Sequence, residues 1–494
     1  MSEPISEQVI KKSLPELIQA FEQQYQTTVP ETVDVTAQQV RDAANGNKTE
    51  PIFIVLDDDP TGTQSVANLP VLTRWEQEDL RWAFEQKAPA IYVMTNSRSL
   101  SAEDARQINK DVAEAALQVA AEQGTKVSFV SRSDSTLRGH YPLEPEVLAE
   151  SVEKQNGQVD GVIVVPAFGD AGRITVDGVH YAGSARDGFI PVGESEFAKD
   201  ATFGYRHSDL AEWIEEKTGG ATSAEQVIRI PLDVLRADLA QVTAKLLEAK
   251  NRQPIIADIV TEQDLRQLSL AIIAAEAQGA HFIYRVGPPF MRARIGQDVP
   301  APLDEQAVAQ ARTANTDVKG GLIVVGSHVP TTTRQLQALL AEGSAQVVEL
   351  DVRTVLSADR DAYLEATSAK VIELLRQDNV VFHTSRELVT GDTADESLAI
   401  ARDVSSALIE VVNAVAHAVK PKFVIAKGGI TSSDVASRGL EMTRATVIGP
   451  MQPGIISLWQ LGDGPAAGVP YIVFAGNVGD DQSLVHVAHV LSHA

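Results

Sequence analysis

The chain is predicted to be an α/β protein of two domains, each a mostly parallel sheet flanked by helices. Three observations carry this. Short apolar runs recur at 52–56, 90–94, 126–130 and 161–165, then at 321–326, 346–350, 379–383, 422–426, 445–448 and 471–475. Helix-like stretches separate several of them, the pattern of parallel strands joined by right-handed crossovers. And 494 residues exceed what one core ordinarily organises.

Residues 1–50 are polar, with Leu14, Leu17, Ile18 and Phe21 at helical spacing before the break at Asn45-Gly46-Asn47. They form a helical arm that packs on the body or on a second subunit. The run 52–56 stops at Asp57-Asp58-Asp59-Pro60-Thr61-Gly62-Thr63-Gln64. Three carboxylates and a proline cannot extend a buried strand, so a polar turn opens at its carboxyl end. Open α/β sheets bind ligands at that edge. Between the runs at 90–94 and 126–130, Ser101 caps a helix with Asp104 three residues on. Ala105, Ile108, Val112, Ala115 and Val119 recur at steps of three and four, and Gly124 ends it. Weaker runs follow at 227–230, 255–260 and 281–285. Residues 286–319 are rich in Gly, Pro, Arg and Asp and hold the linker. The expected division is an arm at 1–50, a first domain at 51–300, a linker at 301–319 and a second domain at 320–494.

Composition narrows the function. At 44% hydrophobic and 22% charged, the chain suits a globular protein in water. It has no cysteine, which excludes disulfides, thiolate metal sites and cysteine nucleophiles and fits a reducing cytoplasm. No apolar run is long enough for a membrane helix, and the opening residues lack a secretory layout. A net charge of −25 argues against nucleic acid or an anionic membrane as partner. An anion must instead meet locally placed arginines, backbone N–H groups or a metal ion.

Such arginines stand after the strands of the first half. Thr95-Asn96-Ser97-Arg98-Ser99 follows the second run. Ser131-Arg132-Ser133-Asp134-Ser135-Thr136-Leu137-Arg138-Gly139-His140 follows the third, and Phe168-Gly169-Asp170-Ala171-Gly172-Arg173 the fourth. If the strands are parallel neighbours, Asp58, Asp59, Arg98, Arg132, Asp134, Arg138 and Arg173 converge on one edge. Arginine forks suit a carboxylate or phosphate, and hydroxyls suit a polyol. An aspartate beside them takes a proton from an alcohol or holds a metal. Any one cluster alone reads as a capped turn with surface ion pairs; four on one edge read as a site.

The second half offers an anion-binding stretch, Ala426-Lys427-Gly428-Gly429-Ile430-Thr431-Ser432-Ser433-Asp434, after the run 422–426 and before a short helix at 433–438. Glycines there let backbone N–H groups turn inward. It lacks Walker A spacing. Gly326-Ser327-His328, Pro453-Gly454 and Gly476-Asn477 are further turns able to share its pocket. His486, His489 and His493 share one face of a terminal helix. A frayed last turn and the lack of a carboxylate at matching spacing favour a solvent- or subunit-facing stripe, and no residue is singled out as a metal ligand.

Asp58-Asp59-Pro60-Thr61-Gly62, Asp134-Ser135-Thr136-Leu137-Arg138-Gly139, Ala167-Phe168 through Gly172-Arg173, the stretch 197–205 and Gly428-Gly429-x-Thr431-Ser432 resemble the four-carbon acid sugar kinase family over about residues 51–490. The resemblance implies a sugar-acid-binding domain followed by a nucleotide-binding domain, with ATP and Mg²⁺ used to phosphorylate a tetronate-type acid at its terminal hydroxyl. By position Asp58 and Asp59 match the family's paired aspartates, and Asp58 or Asp134 is expected as the catalytic residue that accepts the hydroxyl proton. Substrate contacts are then Asp59, Arg98, Ser135, Thr136, Arg138, Gly139 and Arg173. Nucleotide contacts are Ser327, Gly428, Gly429, Ile430, Thr431, Ser432, Gly454, Gly476 and Asn477. The chain departs from the family at Ile430, where many relatives have glutamate, at Pro60, where they have phenylalanine, and in the Gly-Asn-Val-Gly-Asp loop at 476–480. The arm marks a longer subgroup. Apolar content and the arm permit a homodimer. The rival readings are a metal-dependent sugar-acid lyase or epimerase, and a sugar-acid sensor that closes on its ligand without turnover.

Overall fold

The computed structural model describes residues 10–494 apart from 48–49, 156, 317, 387–388, 390–392 and 453, and without the side chains of 394, 395 and 398. Pro453 of the Pro453-Gly454 turn and the first nine residues of the arm therefore lie outside the described residues. The chain divides into two compact units. One comprises Met1–Gly62 and Trp75–Val299; the other comprises Thr63–Arg74 and Pro300–Ala494. Residues 63–74 thus belong to the second unit although they lie inside the range 51–300.

In the first unit seven parallel strands form the sheet. Their order is Ala90–Met94, Ile52–Asp57, Val127–Arg132, Phe282–Val286, Gly161–Val165, Gln253–Ala257, Ile228–Ile230. The near-continuous apolar runs suit strands buried on both faces. Register aligns their carboxyl ends: Asp57 lies opposite both Met94 and Arg132, and Val286 opposite Arg132. The loops that follow therefore start at one level of one edge. The helix Ala102–Gln123 begins where expected, with the Ser101 hydroxyl accepting the Asp104 N–H at 3.1 Å, and ends on Gly124 at φ +64°. Its buried stripe includes Asn109 and Ala116 rather than Ile108 and Ala115.

A three-stranded antiparallel sheet, Arg173–Val176, Val179–Ser184 and Gly188–Pro191, was not predicted. The arm packs on it. Leu17 and Phe21 of the helix Leu14–Tyr25 bury against Ile174, Val176 and Phe189, and a second arm helix, Ala37–Gly46, buries Val40 against Ile273. Within the Gly-, Pro- and Arg-rich stretch 286–319, the helix Pro288–Arg294 is wholly buried. Its Arg294 Nη1 donates to Glu50 at 2.6 Å, and its Arg292 Nη2 to Glu262 at 2.6 Å.

The second unit holds five parallel strands, in the order Gln346–Leu350, Val380–Thr384, Leu322–Val325, Val424–Lys427, Pro470–Phe474. Three antiparallel strands continue it: Ile456–Leu461, Arg444–Gln452 and Leu69–Leu72. The first and last of these three were not foreseen. Segment 63–74 is anchored there by Thr63, whose hydroxyl lies 3.0 Å from that of Ser457 and accepts the Trp459 indole N–H at 2.9 Å. No helix among the described residues is long and apolar enough to cross a membrane.

Candidate active site

The first unit's site is built on the end of Ile52–Asp57. Asp57 is fully buried and ion-paired to Arg132 of the neighbouring strand. A Cβ on Gly62 would collide with both groups, so glycine is required where the chain turns over this pair. Asp58 continues the ladder, its N–H donating to the Arg132 carbonyl at 3.2 Å. Its carboxylate, only 2% exposed, sits in a two-pronged fork: Arg98 Nε donates at 3.0 Å and Nη2 at 2.5 Å, with Arg132 Nη2 at 3.2 Å. Arg98 also reaches Asp59 at 3.5 Å, and Asp59 accepts the Thr61 N–H at 2.9 Å.

The loop after Val127–Arg132 comes to the same place. A Cβ on Gly139, at φ +111°, would lie 3.1 Å from Asp58 Oδ2. Asp134 accepts from the Thr136 hydroxyl and from Arg138 Nε at 2.8 Å, and Arg138 Nη1 lies 3.7 Å from Asp200. Arg138 and Arg173 both stand over the Phe197 ring, at 5.4 and 5.5 Å. Backbone contacts hold the loop: Tyr205 donates to the Thr136 carbonyl at 2.6 Å, His180 Nε2 lies 2.8 Å from the Ser135 carbonyl, and Arg285 reaches the Arg138 carbonyl at 3.2 Å. Ser135 and Thr136 thus act in shaping the loop, Thr136 also by orienting Asp134. A cleft of about 450 Å³ lies beside Arg173 and Phe197.

Electrostatics separate the two aspartates. Burial pushes the Asp58 carboxyl up to about 7 against the pull of Arg98. Asp134 is buried too, yet Arg98 and Arg138 outweigh that burial and hold it well below the usual carboxylate range. Burial lowers Arg132 to about 9 and His180 to about 4.

In the second unit the turns at Ser327, Gly428 and Gly476 meet. A Cβ on Gly428, at φ +129°, would lie 2.8 Å from Thr431 Oγ1 and 3.1 Å from Ser327 Cβ; one on Gly476 would lie 2.6 Å from Ser327 Oγ. Thr431 and Gly326 also line a largely apolar cavity of about 250 Å³ with Val404 and Leu408. Ile430 is 70% exposed, and Asn477 is exposed. Ser432 is buried, its hydroxyl donating to the Ala426 carbonyl at 2.8 Å, so it caps the turn. The helix starts at Gly429, earlier than the predicted 433–438, and beyond Asp434 continues as a π-helical turn over Val435–Gly439. Gly454, at φ +68°, turns the chain between Arg444–Gln452 and Ile456–Leu461.

Two cations stand here that were not singled out as site residues, Lys427 having been named only as part of the loop. Lys427 is fully buried, donates to the Ala475 carbonyl at 2.6 Å and lies 3.7 Å from the Phe474 ring centre; burial lowers it to about 7. Arg386 donates to the Ser327 carbonyl at 2.9 Å and to Thr333 Oγ1 at 2.6 Å, at the amino end of the helix Pro330–Glu342. A cation at the positive end of a helix dipole is disfavoured by a fraction of a kcal/mol, a cost that an anion bound there would offset. Lys427 ends an apolar strand and was legible as the residue before Gly428. Arg386 had no such signal. In the first unit Asp57, His180, Asp200, Tyr205 and Arg285 were missed as site residues, although 197–205 drew attention as a motif.

Comparison with known proteins fits this division. Residues 53–294 match the family profile of a sugar-binding N-terminal domain, and residues 322–484 that of a nucleotide-binding C-terminal domain. The chain belongs to the four-carbon acid sugar kinase family. A D-threonate kinase of Bordetella bronchiseptica is 24% identical over 452 residues, covering 89% of this chain and 98% of that one. A D-threonate kinase of Salmonella typhimurium is 25% identical over 341 residues, covering 68% and 72%. A crystal structure from Salmonella typhimurium LT2 shares the fold, with a TM-score of 0.62 at 18% identity, covering 88% of this chain and 98% of that one. This member is a kinase, a phosphotransferase with an alcohol group as acceptor, whose substrate is a sugar acid.

Proposed function

We propose that the protein uses ATP to phosphorylate a four-carbon sugar acid of the tetronate type at its terminal hydroxyl, with D-threonate, the substrate named for both relatives, as the first candidate. The observation that carries this reading is the Arg98 fork on Asp58, set among Asp59, Asp134, Arg138 and Arg173. An incoming carboxylate competes for the Arg98 guanidinium, or takes Arg138 and Arg173, which both stand over Phe197. Asp58, which titrates near neutrality while in its fork and higher once released, is then suited to accept the hydroxyl proton. Asp134, held ionised, balances the arginines.

ATP lies on the second unit, its phosphates against Ser327 and the Gly428–Ser432 turn and its base toward the apolar cavity beside Thr431. Lys427 and Arg386 offset phosphate charge. The turns at 326–328, 427–432 and 475–477 contain hydroxyls and no carboxylate. They therefore fit a Mg²⁺ ion held chiefly by the nucleotide's own phosphate oxygens. The ion would neutralise charge on the transferring group, while the chain's residues position donor and acceptor.

The test measures ADP and product with ATP, Mg²⁺ and a panel of four-carbon acids. ADP release dependent on one acid supports the kinase. Product without ATP would instead support a lyase or epimerase, and binding with neither would support a sensor. Asp58→Asn is expected to bind the acid and lose at least about a hundredfold in kcat. Near-normal turnover in that variant removes Asp58 from the base role.

A further inference from the structure

The terminal histidines lie beside a carboxylate that sequence spacing could not reveal. Glu305, His489 and His493 each offer one donor atom within 4.8 Å of the other two. The helices that carry them, Glu305–Ala311 and Ser483–His493, share one apolar core in which Val308 and Ala311 meet Leu484, Val487, Ala488 and Leu491. The last turn is anchored. Arg312 donates to the Ala494 carbonyl at 3.0 Å and the Leu491 carbonyl at 3.4 Å. Lys422 donates to the Ser492 carbonyl at 2.6 Å, and Asn379 to the Ser492 hydroxyl at 2.9 Å. The expectation of a frayed end is thus corrected, and the carboxylate that sequence spacing lacks comes from Glu305 on another helix.

We infer that Glu305, His489 and His493 form a binding site for a divalent transition-metal ion, with zinc the favoured occupant. Histidines four residues apart project from the same helix face, and here their rings stack at 4.0 Å. His493 Nδ1 lies 2.8 Å from the His489 carbonyl. That contact suits the tautomer with a proton on Nδ1, which leaves the Nε2 lone pair free for a metal and is the usual outer support of a histidine ligand. Two imidazoles and one carboxylate form a three-ligand zinc set with an open position, at metal–ligand distances of about 2.0–2.2 Å. Small side-chain rotations bring atoms within 4.8 Å of one another to that spacing. Mg²⁺ is selected against, because it takes oxygen ligands. The ion clips the Glu305–Ala311 helix to the chain's last helix. Its donors are neither on the glycine turns nor in the first unit, so the site is separate from the proposed chemistry.

The experiment strips full-length protein with a chelator and titrates it with ZnCl₂ by calorimetry, reading the melting temperature in parallel. One zinc per chain is expected in the wild type and in His486→Ala, a control on the same helix. His489→Ala, His493→Ala and Glu305→Gln are each expected to weaken that site by at least about tenfold and to lose the zinc-dependent rise in melting temperature. The three side chains are exposed, so the zinc-free variants should unfold at the wild-type urea midpoint, which separates lost metal binding from lost folding. Wild-type zinc affinity in either histidine variant, or in Glu305→Gln, overturns the site. So does equal uptake of Mg²⁺ at the same concentrations.

Discussion

Arg98→Met isolates the fork on Asp58. The variant keeps an apolar stem and removes the guanidinium that meets Asp58 at 3.0 and 2.5 Å. Burial already holds the Asp58 carboxyl at about 7 in the wild type, against an ordinary value of 3.8. An acid raised in the folded state gains a proton on folding. It therefore lowers stability progressively as pH rises from its unfolded pKa to its folded one, and the loss then levels off. Without Arg98 the folded pKa climbs further, so in the variant the loss continues above pH 7. Near pH 6 Asp58 is protonated in both proteins, and only hydrogen bonds and packing differ. Toward pH 8 the wild type has levelled while the variant still loses about 1 kcal/mol per pH unit. Urea titrations of both proteins at several pH values from about 6 to 8 are expected to show destabilisation growing by roughly 1 kcal/mol over that range. A destabilisation that is flat with pH, or largest at the acid end, would refute the reasoning.

Two further substitutions test the geometry. Gly139→Ala places a methyl 3.1 Å from Asp58 Oδ2 at φ +111°, so it is expected to cost roughly 1–3 kcal/mol in a urea titration and to lower kcat/KM through displacement of Asp58. Lys427→Met relieves a buried ammonium whose folded pKa is about 7. A depressed lysine weakens the fold most below its folded pKa and least above its unfolded one. The variant should therefore be more stable than wild type by roughly 2–4 kcal/mol near pH 7, with the advantage fading as pH approaches 10, while nucleotide affinity measured by calorimetry falls at least about tenfold.

Much of the acid site was legible because parallel strands make it so. Asp58, Arg98, Asp134 and Arg138 each follow a strand, and register brings strand ends to one edge without any knowledge of side-chain contacts. What was hidden depended on pairing across the chain. Asp57 looked like part of an exposed acidic turn, yet Arg132 on the next strand neutralises it inside the sheet. Arg285 ends a weak apolar run and gives no local sign that it supports the Arg138 carbonyl. The strand Ile456–Leu461 contains Gln460, Ser457 and Trp459, whose polar groups find partners only once Thr63 and Ala311 are in place. Glu305 and His489 are far apart in sequence, and only helix packing makes them neighbours.

The fork also carries a consequence for pH profiles that neither residue shows alone. In the free protein Arg98 is spent on Asp58 and holds its pKa down, though burial keeps it at about 7. If the substrate carboxylate takes that guanidinium, Asp58 loses the pull and its pKa rises in the complex. Linkage then requires the converse: protonating Asp58 frees Arg98 and tightens acid binding. A base that must be ionised makes kcat/KM fall about tenfold per pH unit below the free-protein value, near 7. The limb in kcat reports the complex and should lie at higher pH, with KM for the acid falling as pH drops between the two limbs. Steady-state profiles at saturating ATP separate them. Coincident limbs would mean that the substrate carboxylate does not draw on Arg98, and would move the anchor to Arg138 and Arg173 over Phe197.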